Sequence, residues 1–125
     1  MKIFWLTKND FFPRRLYPFL KEQDIVLSAI CTDPSQAMLA YLQSGADVIV
    51  MDFSWYSNMV SGVALIRDFL SLDDSIKIIV STSYYQSEVD NRYKLLGAVG
   101  YFHKNDTPEN IIRSLRMESE VAAVC

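Results

Sequence analysis

Asp52 closes the run DVIVMD (residues 47–52), in which four apolar residues stop at a carboxylate. A run this short and this apolar suits a strand buried on both faces. Its last residue then stands at the carboxyl edge of a parallel sheet, where ligands of open α/β folds bind. Two similar runs, IKIIVS (76–81) and AVGYFH (98–103), bring Ser81 and Thr82, then His103 and Lys104, to the same edge. The first run, KIFWL (2–6), brings Thr7 and Lys8. A carboxylate, a hydroxyl and a lysine converging from separate strands suit phosphoryl chemistry. The carboxylate would be the nucleophile, and the lysine and hydroxyl would hold the phosphoryl oxygens. No glycine-rich phosphate loop, Cys/His metal set or Ser-His-Asp set accompanies them, so the expectation is a protein that is not an enzyme.

The elements that must position these residues alternate. After the first strand, Asp10 stands where it would cap a helix over FFPRRLYPFLKEQ (11–23). Pro13 suits the first turn of that helix, whereas Pro18 is interior and is expected to kink or split it. The second strand is IVLSAIC (25–31); Asp33-Pro34 then starts a helix over SQAMLAYLQS (35–44) that stops at Gly45. DVIVMD is the third strand, followed by a loop, FSWYSNMVSG, and a helix over VALIRDFLSL (63–72). IKIIVS is the fourth strand, YYQSEVDNRYKLL (84–96) a fourth helix ending at Gly97, and AVGYFH the fifth strand. A last helix starts at Thr107-Pro108. Five β–α units in succession imply one domain over residues 1–125, with a parallel sheet and right-handed crossovers.

Composition agrees. The 125 residues are 50% hydrophobic and 22% charged, which excludes disorder. A net charge of -3 argues against nonspecific nucleic-acid binding by this segment. The opening MKIFWLTKND holds too short an apolar run for a signal-peptide core or a membrane span, and Cys31 and Cys125 match no metal or redox spacing. The expected location is the cytoplasm, with no membrane partner. Cys31 reads as buried packing. His103, the sole histidine, reads as a packing residue because strand alternation turns it away from its neighbours' face. Trp55-Tyr56 and Tyr84-Tyr85 are candidate contact surfaces.

At these residues the chain resembles the receiver domains of bacterial two-component response regulators, over nearly its whole length. Asp52 matches that family's phospho-acceptor, Thr82 in IIVSTSYYQSEV its switch hydroxyl, and Tyr101 and Lys104 in GAVGYFHKND its switch aromatic and its lysine. Ser81 is a one-residue alternative to Thr82. The stretch from Ser83 to Leu115 is most similar to the LuxR/NarL-type subgroup, whose receivers precede a helix-turn-helix domain. The resemblance implies a flavodoxin-like, CheY-like α/β fold: a five-stranded parallel sheet of order 2-1-3-4-5 with helices on both faces. It further implies a histidine kinase as partner and a homodimer through helix four, strand five and helix five. DNA would be contacted only through an output domain outside this segment.

One departure bears on mechanism. The family's Mg²⁺-binding acidic pair after strand one falls on Thr7 and Lys8, neither acidic. Of the family's Mg²⁺ ligands, Asp52 and the Ser54 carbonyl are left, fewer carboxylates than Mg²⁺ prefers. Tyr56 stands where the family usually has proline. Lys8 offers an ammonium where the metal charge would sit. At about 4 Å and an effective dielectric of about 20, a Lys8–Asp52 contact is worth roughly 4 kcal/mol before desolvation. The expectation is therefore an atypical receiver, or pseudo-receiver, with no cofactor and a Lys8–Asp52 pair, signalling by dimerisation or partner binding. Two alternatives stay open: an ordinary receiver phosphorylated on Asp52, and a flavodoxin-like module for a small ligand.

Overall fold

Five short apolar runs form the sheet because each is too short for a helix and is rich in residues suited to a pleated, buried surface. In the computed structural model, which describes residues 1–52, 60–82 and 97–124, the strands are β1 (Lys2–Leu6), β2 (Val26–Cys31), β3 (Val48–Asp52), β4 (Lys77–Thr82) and β5 (Gly100–His103). All neighbouring pairs are parallel and the order is β2-β1-β3-β4-β5. The central strand β3 is buried at all its positions, as the unbroken apolar run of DVIVMD requires.

Alternation along the strands divides the interior into two cores. On one face Ile3, Trp5, Val48, Val50, Ile79 and Phe102 meet helix α1 (Phe11–Glu22) and the C-terminal helix (Pro108–Val124). On the other, Phe4, Leu6, Ile49, Met51, Ile78 and Val80 meet helices α2 (Ala37–Ser44) and α3 (Val60–Leu72). Helices thus cover both faces, as parallel crossovers demand.

Several expectations about the helices need correction. Pro18 does not split α1, which runs unbroken from Phe11 to Glu22. Pro18 lies on the exposed side, where water can serve the carbonyl its missing N–H leaves unbonded. Asp10 occupies the cap position but makes no capping bond; its carboxylate accepts from Arg14 Nε at 2.6 Å instead. The Phe11 N–H is taken by Asn9 Oδ1 at 2.9 Å. The second helix begins as a 3₁₀ turn, Pro34–Gln36, before becoming α-helical at Ala37. The third begins at Val60, three residues earlier than its hydrophobic pattern indicates. The expected fourth helix, with Tyr84 and Tyr85, lies outside the described residues, as do Ser54, Trp55 and Tyr56. Cys31 is buried, with its Sγ 3.2 Å from the Asp33 carbonyl.

The end of α1 is closed without glycine. Ile25 N–H donates to the Leu20 carbonyl at 3.0 Å and Asp24 N–H to the Lys21 carbonyl at 3.2 Å, with Asp24 at φ 58°. This is the left-handed closure that glycine usually supplies, here carried by a residue type that tolerates it better than most. The C-terminal helix is capped by Thr107 Oγ1, which accepts from Asn110 N–H at 3.2 Å.

Candidate functional site

The site sits where β1, β3 and β4 end and β5 turns toward the C-terminal helix. Asp52, the last residue of β3, is 6% exposed. Its Oδ2 accepts from Lys104 Nζ at 2.6 Å and lies 3.2 Å from Thr7 Oγ1, whose single proton it shares with the Asn9 carbonyl at 3.1 Å. A charged donor at this separation is a strong hydrogen bond as well as an ion pair. Two elements fix the lysine. Its N–H donates to the Thr82 carbonyl at 2.8 Å, which extends the β4–β5 ladder by one bond. Beyond it, His103 N–H donates to Asp106 Oδ2 at 3.1 Å and Asn105 N–H donates to His103 Nδ1 at 3.0 Å, tying the turn that carries Lys104. His103, expected as packing, is half-buried and serves as an acceptor within that turn.

The sequence-predicted residues divide between the two faces of the sheet. Thr7 continues the face of Ile3 and Trp5, and Asp52 that of Val48 and Val50. Lys104 follows Phe102 by two positions on the same side, and these three residues meet. By the same alternation Thr82, fully buried, belongs to the face of Ile78 and Val80, where Tyr101 also packs. Ser81, level with Asp52 in the β3–β4 register, lies on the Asp52 face.

Lys8 corrects the expected ion pair. It is exposed and forms no salt bridge with Asp52; that partner is Lys104. Residue 8 lies past the end of β1, and Thr7 is the one that alternation turns toward Asp52.

Comparisons with known proteins agree with this fold, although no family model matches the chain. The chain is 27% identical over 108 residues to the uncharacterized transcriptional regulatory protein YxjL of Bacillus subtilis (strain 168), covering 86% of this chain and 49% of that protein. It therefore spans about half the length of the curated relative it matches. A LuxR-family two-component response regulator from Aurantimonas sp. SI85-9A1 superposes with a TM-score of 0.75 at 21% identity, over 92% of this chain and 81% of that one. The isolated REC domain of RcsB from Salmonella enterica serovar Typhimurium gives 0.80 at 16% identity, over 96% and 88%. The fold is that of a response-regulator receiver domain.

In this receiver fold the donor set that the described residues bring to the Asp52 edge does not fit Mg²⁺. That ion takes an octahedral oxygen shell that includes one or two carboxylates. Among the described residues no three His, Cys, Asp or Glu side chains gather. Asp52 brings one carboxylate, and its Oδ2 already carries an ammonium. Asp10, the first acidic residue after β1, is turned to Arg14. What the arrangement can do is hold an ionised carboxylate in place between an ammonium and a hydroxyl.

Proposed function

We propose that this chain is an atypical receiver domain of a response regulator, which signals through its surfaces rather than by Mg²⁺-dependent phosphorylation of Asp52. The observation that carries this reading is the occupation of Asp52 Oδ2 by Lys104 at 2.6 Å and Thr7 at 3.2 Å, with Thr7 and Lys8 where the acidic pair would stand. The ammonium supplies from within the chain the positive charge that a metal would bring. The charge of the carboxylate is thereby compensated, and its oxygen is directed away from attack on a phosphoryl donor. In this reading the domain controls transcription through an output domain, in keeping with the name of its B. subtilis relative. It pairs with a second copy through the fourth helix, β5 and the C-terminal helix. Its site residues are Asp52, Thr7 and Lys104, with Thr82 and Tyr101 on the opposite face as the link to that surface.

A second reading is favoured by the convergence of Asp52, Lys104 and buried hydroxyls from separate strands. In it, a histidine kinase phosphorylates Asp52. Intact mass after incubation with acetyl phosphate, with and without Mg²⁺ and beside Asp52→Asn, separates the two. An unchanged mass in a folded chain is expected. A gain of one phosphoryl group that disappears in Asp52→Asn overturns the first reading in favour of the second.

A further inference from the structure

Asp52 stands between two hydroxyls that are used unequally. Leu6 pairs with Met51 across β1 and β3, which brings Thr7 level with Asp52, and Asp52 pairs directly with Ser81 across β3 and β4. All three lie on the face of Trp5, Val50 and Ile79. Thr7 Oγ1 donates to the carboxylate. Ser81 Oγ is fully buried and has no hydrogen-bond partner. A buried hydroxyl without a partner is uncommon and unfavourable, and it calls for an explanation.

The register restricts what that explanation can be. On its other side Ser81 is level with Phe102, which offers no acceptor. Toward β3 its neighbour is the ionised carboxylate of Asp52. Paired residues of adjacent strands stand about 4.8 Å apart, so a change of side-chain torsion at Ser81 or Asp52 brings Oγ within hydrogen-bond range. The Lys104 side chain is 23% exposed. It also lines a groove of about 120 Å³ between α1 and the C-terminal helix, together with Phe12, Phe19, Asp106 and Ile111.

We infer that Ser81 is a positioning residue for Asp52, a reserve donor that takes the carboxylate when Lys104 is drawn off. The carboxylate then has two held positions, one on Lys104 and one on Ser81. Each keeps it satisfied without a metal. Passage between them moves a contact from β5 to β4. The inference concerns the same carboxylate as the proposed function and rests on that reading for its meaning in signalling. Its basis is the burial and register of Ser81, and its test uses no phosphoryl donor, so either can fail without the other.

The test is a double-mutant cycle of Ser81→Ala with Lys104→Met, read by denaturant unfolding and by the ¹³Cγ resonance of Asp52. In the otherwise native chain, Ser81→Ala leaves the folding equilibrium constant unchanged or raises it, because it removes an idle buried hydroxyl. In the Lys104→Met chain the same change lowers that constant by roughly tenfold, as expected for loss of a hydrogen bond to a charged group. The Asp52 resonance shifts on Ser81→Ala only in the Lys104→Met chain. Equal effects in the two backgrounds, or none in Lys104→Met, overturn the inference. So does a Lys104→Met chain that fails to fold while Lys104→Met with Asp52→Asn folds, since the reserve donor would then have failed to hold the carboxylate.

Discussion

The Lys104–Asp52 pair is buried unevenly, with the aspartate side chain 9% exposed and the lysine 23%. That asymmetry decides which partner is costlier to lose. Removing the lysine takes the ammonium from a carboxylate held under the sheet edge. Removing the charge of the aspartate leaves a lysine whose long stem can carry its ammonium to water. Breaking a fully buried pair costs about 3–5 kcal/mol, and an exposed one contributes about 0–1. Lys104→Met is therefore expected to lower stability by roughly 2 kcal/mol and Asp52→Asn by less than about 1, measured by urea unfolding. Equal losses would mean that the lysine is as confined as the aspartate. Asp52 and Lys104 were legible in the sequence because each follows a strand-like run at the same edge. Lys8 misled because its place in the family's acidic pair and its charge both suggested it. The signal that selects Thr7 over Lys8 is strand parity, and parity shows who faces Asp52 only once the β1–β3 register is known. Register joins residues far apart in the chain, so no local pattern supplies it. The same holds for Ser81 and Thr82, adjacent in sequence and assigned to opposite faces.

At the scale of elements, strands and most helix limits were readable because hydrophobic runs and caps are local. The misses are also physical. Pro18 sits on the solvent side, where its missing N–H matters least, and Asp10 turns its carboxylate to Arg14 rather than to a backbone cap. The closure of α1 was not anticipated because no glycine marks it. Asp24 holds φ 58°, a conformation that disfavours a Cβ by about 1–2 kcal/mol for ordinary residues and less for Asp. Asp24→Gly relieves this at a site where glycine is the common choice, with a small loss from the greater freedom of the unfolded chain. The expected outcome is a gain of about 0.5–1 kcal/mol in urea unfolding with an unchanged denaturant slope. Gly97 is the opposite case. Its φ of 98°, and the 2.7 Å that would separate an added Cβ from Leu70 Cδ1, leave no comfortable alternative to glycine.

For the whole molecule, one sheet serves both cores, so neither layer of helices can retain its packing once the strands part. Local titrations should therefore appear in the global free energy of unfolding. Tyr41 on α2 lies edge-on to Phe4 of β1 at 5.8 Å and to Phe69 of α3 at 5.5 Å, so it ties three elements of one core. Burial raises its pKa above the ordinary 10.0, and the nearby carboxylates of Asp73 and Asp47 raise it further. Between the unfolded and folded values the native chain holds a proton that the unfolded chain has lost. The stability contributed is thus complete below pH 10.0 and disappears as pH rises through the folded value. Asp73 acts with the opposite sign at the acid end. Hydrogen bonds from the Ser75 hydroxyl and N–H lower its pKa below 3.8, so its contribution is present above that value and is lost as pH falls through the folded one. Tyr41→Phe keeps the ring contacts and removes the titrating proton. It should flatten the alkaline decline of stability while leaving the acid limb unchanged. Ser75→Ala should leave the alkaline limb as it is and move the Asp73 carboxyl titration, followed by ¹³C NMR, back toward 3.8. An alkaline limb that Tyr41→Phe does not change would place the source of that decline elsewhere in the chain.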